Sequence, residues 1–297
     1  NPELFNLGGS TSATQLPVTT TTQRDAMTGL SVGEMIFNST TDKVEYWDGT
    51  VWYSITYEVT GETPYNNVLY TGNGSARSIT GVGFEPDLVW IKKRNSASYS
   101  SHMLFDTVRG VDKVIRTDST AAEYDGTGTG YQTSFNTDGF SITGNLFVNQ
   151  SGNTFVAWCW KAGGAAVANT DGSRPSQVSA NVAGGFSIVS WTGNAVSPST
   201  VGHGLGVAPE LFIIKNLSSA VNWSVYSSSV GAGNKLQINS SNQASATSNY
   251  ANTSPTSSVF SLSGGNEVNG SGSNYIAYCF HSVAGYSKVG SYTGNGS

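Results

Sequence analysis

The sequence predicts a nearly all-β protein, most of it one β design written twice. Three observations carry this. Residues 139–160 (GFSITGNLFVNQSGNTFVAWCW) and 259–280 (VFSLSGGNEVNGSGSNYIAYCF) align without a gap, 120 positions apart. Each stretch ends in a run of aromatic and β-branched residues behind a Gly/Asn/Ser turn cluster, the pattern of a strand buried on both faces. The composition agrees: 36 glycines and 11% aromatics, with charged residues at 11% against roughly 25% in typical soluble domains. No amphipathic helical pattern runs beyond a few turns, so short strands and tight loops are the expectation.

The chain divides in order. Residues 1–30, with the run Thr19-Thr20-Thr21-Thr22, have little to bury and read as an extended arm. Residues 31–60 read as a small β module of three strands: Gly33 to Asn38, Lys43 to Trp47 and Val51 to Ile55, with Asp48-Gly49 as a hairpin signal. A module of this size cannot bury enough surface to fold alone. Its Met35, Phe37, Tyr46, Trp47, Trp52 and Tyr53 exceed what one small sheet hides, which favours assembly from several chains.

The first copy of the repeat is set at 65–164 and the second at 185–285. Gly83 to Lys92 answers Gly206 to Lys215, each a Pro-acid turn leading into a strand that ends on Lys; Tyr70-Thr71-Gly72-Asn73 answers Trp191-Thr192-Gly193-Asn194. Between the copies, 165–184 is small, polar and broken by Pro175, the composition of a linker. Tyr292 to Ser297 repeats Tyr70 to Ser75, so 286–297 reads as the start of a truncated third repeat and the chain as a piece of a longer array. Cys159 and Cys279 fall at one position of the two copies and are expected as buried free thiols.

Two resemblances follow from these motifs. Gly33 to Trp52 resembles the short β modules of bacteriophage tail-fibre proteins. The elements Tyr70–Gly74, Gly83–Arg94, Asp106–Gly110, Gly139–Ile142 and Phe155–Gly164 resemble a domain of tail-fibre and structural proteins of marine and cyanobacterial phages. The second copy lacks the Asp-Arg-Gly element. These resemblances imply tandem lectin-like β-sandwiches of jelly-roll type, a virion fibre, assembly as a homotrimer with other tail proteins as neighbours, and contact with host-surface glycan.

The net charge of −5 sits mostly in the first 64 residues, and no basic patch suited to a phosphate backbone appears, so nucleic acid is not expected as a partner. No apolar run reaches transmembrane length, and membrane insertion is not expected. Residues 101–125 hold His102, Asp106, Arg109, Asp112, Arg116, Asp118, Glu123 and Asp125, whereas the counterpart Val225–Ser241 keeps only Lys235. These groups are either structural ion pairs or a polar surface particular to the first copy. A glycan depolymerase would use His102 with Asp106, or Asp118 with Glu123, as an acid/base pair. Neither spacing is diagnostic, and Gly126 to Gly130 lacks the Lys and helix of a phosphate loop. The expectation is therefore no enzyme, no cofactor and no metal. Candidate ligand contacts are Tyr99, His102, Asp106, Arg109, Tyr124 and Tyr131 in the first copy and Tyr250 in the second, the tyrosines offering faces on which a sugar could stack. Trp90, Trp158 and Trp160 are expected in the core. The leading functional reading is adhesion to host glycan, and the rival is a purely structural fibre shaft or adaptor.

Overall fold

The computed structural model of the chain describes residues 16–41, 43–55, 64–126 and 130–296. The chain forms two units, 1–61 and 62–297. Residues 1–15, the larger part of the expected arm, lie outside the described residues, as do Thr127 to Thr129 of the glycine-rich loop and Ser297.

In the first unit, β1 (Val18–Thr19) runs parallel to β2 (Met35–Asn38), which continues into an antiparallel meander through β3 (Lys43–Trp47) and β4 (Trp52–Ile55). The three strands read from the sequence are present. The threonine run is not an extended arm: Thr20 caps the single-turn helix α1 (Thr21–Asp25) through a reciprocal box with Gln23. At the predicted hairpin, the Asp48 carboxylate accepts from Thr50 N and Val51 N, both at 2.7 Å, and Gly49 takes a left-handed φ of 104°. Glu45 is buried and accepts from Arg24 (2.7 Å), Asn38 and Thr41. Burial alone would raise its pKa, but these bonds outweigh it and hold the group below its ordinary value.

The first copy of the repeat is built on two sheets. Its large sheet has the order β10-β9-β8-β7-β13-β5, from β5 (Tyr65–Thr71), β7 (Leu88–Lys93), β8 (Met103–Asp106), β9 (Lys113–Arg116), β10 (Tyr124–Asp125) and β13 (Thr154–Trp160). Its small sheet joins β11 (Gln132–Asn136), β12 (Gly139–Ile142) and β6 (Arg77–Thr80); the one-turn α2 (Leu146–Asn149) precedes β13. The second copy repeats this core. The small sheet keeps β17 (Ser199–Gly202) and β22 (Val259–Leu262). The large sheet has β16 (Phe186–Thr192), β23 (Asn274–Phe280), β18 (Leu211–Asn216) and β19 (Ser224–Ser227) side by side in that order. Its β20 (Asn234–Lys235) and β21 (Ser245–Ala246) pair only with each other in sheet order. The stretch 165–184, read as a linker, carries β14 (Val167–Asn169) and β15 (Ser176–Asn181), which pair onto β16 and widen the sheet. Alternation explains the error: Ser176 and Val178 face the core while Gln177 faces out, a strand pattern hidden by small residues.

The duplicated strand sits in the same place in both copies, between β5 and β7 as β13 and between β16 and β18 as β23. One face, Phe155, Ala157 and Cys159 or Tyr275, Ala277 and Cys279, fills the core between the large and small sheets of its own copy. Both thiols are buried and free, and burial pushes each up to about 12. The other face meets the other copy. Leu88, Leu104, Trp90 and Trp160 of the first large sheet interlock with Phe186, Ile188, Ile276 and Tyr278 of the second, together with Trp223. The 62–297 unit is thus four layers deep with three apolar seams, and the middle seam joins the copies. Trp90 and Trp160 are half-buried and belong to that seam rather than to the core of their own sandwich, and Trp158 is half-buried against Trp90.

The repeated Thr-Gly-Asn and Val-Asn motifs form one clasp in each copy. Asn149 is fully buried; its amide donates to Asn73 Oδ1, Ser75 O and Thr143 O, and its Oδ1 accepts from Asn73 N. Asn269 does the same toward Asn194 and Val196 O. A Cβ at Gly72 would stand 2.1 Å from Gln150 O, and one at Gly193 would stand 2.3 Å from Gly270 O, so only glycine allows this approach.

Candidate functional site

The charged candidates are drawn inward. Asp106, at the end of β8 on the outward face of the first large sheet, is completely buried. The Arg109 guanidinium donates to it at 2.5 Å and also to Glu123 Oε2 (3.1 Å), Lys113 O and Leu104 O. The Tyr278 hydroxyl, from the second copy, donates to Asp106 Oδ2 at 2.6 Å. Burial works against the Arg109 charge, but Asp106, Tyr278 and Glu123 hold its pKa above the ordinary value. Burial and the Asp106 carboxylate push the Tyr278 phenol well up. Trp223 of the second copy donates its Nε1–H to Arg116 O (3.0 Å) and Ser119 O (3.1 Å), and Lys215 Nζ donates to Thr120 O (3.1 Å).

These contacts explain the asymmetry of the sequence. The Asp-Arg-Gly element is a socket that the first copy offers to the second. Asp106 and Arg109 are therefore not a solvent-facing ligand surface: the carboxylate is fully buried, the guanidinium side chain is 3% exposed, and each is engaged by the other.

His102 also serves structure. It accepts the Trp90 indole N–H at its Nδ1 (3.0 Å) and lies edge-on to that ring. Burial, with Lys92 adding to it, lowers its pKa, and Asp118 opposes them weakly. Tyr250 is a second correction. It is fully buried, its hydroxyl paired with Ser224 Oγ at 2.8 Å and its ring edge-on between Phe212 and Tyr226. Its Asn-rich surroundings suggested a loop rim, but Asn249 spends its amide on Ser224 and Glu267.

The three remaining candidates come together. Tyr99 (50% exposed) meets Phe147 edge-on at 5.4 Å. Phe147 meets Tyr131 at 6.3 Å, and Tyr131 meets Tyr124 (46% exposed) at 6.2 Å. Four rings thus form a continuous strip on the surface of the first copy, with the Arg116 guanidinium over Phe147 at 5.8 Å. The chain works to hold this strip. Tyr99 sits at φ 49°, a left-handed conformation that is costly for a tyrosine. Buried Lys93 fixes its loop by donating to Ser98 O at 2.7 Å, with the ammonium 5.7 Å from the Tyr99 ring centre. Desolvation, with Lys92 adding to it, lowers the Lys93 pKa. Asp112, itself at φ 62°, accepts from Tyr131 N at 3.1 Å.

Phe147 escaped the sequence reading. The signal was available in the duplication: Val148 and Asn149 are unchanged in the second copy, while Phe147 becomes Glu267, which pairs with Lys235. Among the described residues no cluster of His, Cys, Asp and Glu could hold a metal ion, and no helix is long and apolar enough to cross a membrane.

Comparison with known families gives two matches. Residues 62–297, the span of the second unit, match a family described as a domain of unknown function, DUF7483; residues 4–71 match a family described as a phage tail-like trimerisation region. No curated protein and no solved structure matches the chain.

Proposed function

Because the chain belongs to the DUF7483 domain family over most of its length and opens with a phage tail-like trimerisation region, we propose that it is a tail-fibre-like virion protein, a homotrimer that adheres to host-surface glycan. The single observation that supports adhesion is the strip Tyr99–Phe147–Tyr131–Tyr124. Two of its rings are exposed, Arg116 lies beside it, and Tyr99 is held in a left-handed backbone conformation. Saccharides bind such faces by stacking, and three copies in a trimer would multiply a weak single site. Catalysis is not part of this reading, since the Asp106 carboxylate is taken up by Arg109 and Tyr278.

The test is binding of the full chain to host cells and to a glycan array, beside a Tyr99→Ala/Tyr124→Ala double variant. Both side chains are half-exposed, so the variant is expected to keep its melting temperature and lose at least about tenfold in apparent affinity. Undiminished binding by the variant would move the site elsewhere. No binding by the wild type would favour a shaft or adaptor whose sandwiches act as spacers.

A further inference from the structure

The tyrosine strip carries a positive charge that the chain does not answer. Arg116 ends β9, is half-buried, and holds its guanidinium over the Phe147 face at 5.8 Å. Phe147 neighbours both Tyr99 (5.4 Å) and Tyr131 (6.3 Å), so the cation stands within the strip rather than beyond its end. Burial, with Tyr124 adding to it, raises the pKa of the Tyr131 phenol, and Arg116 opposes that rise, in keeping with a cation beside the ring.

A cation over a ring keeps its N–H donors for other acceptors. Among the described residues the Arg116 guanidinium has no carboxylate partner and makes no hydrogen bond, and none of its nitrogens is shut away from solvent. The carboxylates of the same stretch are engaged elsewhere: Asp112 accepts from Tyr131 N (3.1 Å), Asp118 from His102 N (3.3 Å), Glu123 from Arg109 and Asp125 from Lys113. Lys93 adds a second cation, 5.7 Å from the Tyr99 ring centre, and its acceptors Ser98 O and Gln150 Oε1 are neutral. The second copy shows the contrast. Glu267, the counterpart of Phe147, forms an ion pair with Lys235, from the counterpart of the 101–125 stretch. There the chain supplies its own carboxylate to a cation; in the first copy a ring stands in that position and the cation is left open.

We infer that the strip selects acidic saccharides, with a sugar carboxylate of the uronic acid kind accepting from Arg116 while the sugar face lies on the tyrosines. The inference rests on the reading of the strip as a glycan surface and names the class of sugar. A guanidinium is planar and presents paired donors that match a carboxylate bidentately. A neutral sugar stacks on the same rings but leaves those donors to water.

The experiment is an array of uronic acid oligosaccharides, each printed beside its carboxyl-reduced counterpart and probed with the full chain at low salt. The expected result is at least about fivefold stronger retention of the acidic members, a preference that shrinks as added salt screens the charge. Arg116→Gln should bring the acidic members down to the level of their reduced counterparts without moving the melting temperature. The Tyr99→Ala/Tyr124→Ala variant should weaken both sets together. Equal retention of acidic and reduced members by the wild type overturns the choice of acidic sugars and leaves the adhesion reading standing. A preference that survives Arg116→Gln overturns the assignment to this residue. Retention of neither set also overturns the inference, and binding to host cells then decides separately whether the adhesion reading falls with it.

Discussion

At the scale of single residues, what the copies share is internal and what they do not share is contact. Asn149 and Asn269 are retained because each ties a Thr-Gly-Asn loop to the turn before the central strand. Asn149→Ala takes the side-chain partner from Asn73 N, Ser75 O and Thr143 O and empties a fully buried position, and chemical denaturation should show a loss of about 2 kcal/mol. Asn269→Ala should cost a similar amount. His203 offers a pH test. It is fully buried, donates from Nε2 to Thr256 O (3.1 Å) and accepts Leu205 N–H at Nδ1 (3.2 Å), so only the neutral ring fits. Burial lowers its pKa below the ordinary 6.5, with the Thr256 bond opposing that shift. Below about pH 6.5 the unfolded chain therefore takes up a proton that the folded chain refuses, and stability falls with falling pH. The melting midpoint should drop between about pH 7 and pH 5.5, and more steeply than in a His203→Asn variant. Parallel slopes would show that other groups dominate.

At the scale of elements, the sequence exposed the strands and hid their company. The alternation in Phe155 to Trp160 and Tyr275 to Phe280 marks a strand covered on both faces, and so it is. It does not say that the second cover is the sister copy, because an apolar outward face looks the same whatever lies on it. Of the two readings of Asp106 and Arg109, the structural ion pair is present and the ligand surface is not; what the sequence hid is that the pair is buried as a socket for Tyr278. The tyrosines of the strip were legible from their polar neighbours; Tyr250 had the same neighbours and faces the core, since loop composition does not fix the direction of a side chain. The shared seam makes the two sandwiches one cooperative block. Trp223→Ala removes a fully buried ring and two hydrogen bonds across the seam, at a cost of about 3–5 kcal/mol. Calorimetry of the wild type should show one transition for 62–297, and the variant should show it split or broadened. A single sharp transition at the original midpoint would deny the seam its role.

At the scale of the whole molecule, assembly is expected to begin at the N-terminal module. Among its described residues only Ile36 is a buried hydrophobic side chain, while Tyr46, Val51 and Tyr53 are exposed and Tyr46 stacks on Tyr53 at 5.7 Å. Such a surface on so small a sheet fits a face covered by other copies. Sedimentation should find a trimer at micromolar concentration, and Tyr53→Glu should shift it toward monomer while leaving the melting of 62–297 unchanged. A trimer indifferent to the substitution would place the interface elsewhere.

The central position of β23 also has a bearing on synthesis. It lies between β16 and β18, so the second large sheet cannot join across its middle until residue 280 has left the ribosome. The first sandwich, complete once β13 emerges, must wait through more than a hundred further residues with Trp90, Trp160 and the Asp106 carboxylate still wet. Translation therefore passes through a half-finished state with an adhesive flank, and that interval is where a chaperone, or a wrong neighbour, would find its opening.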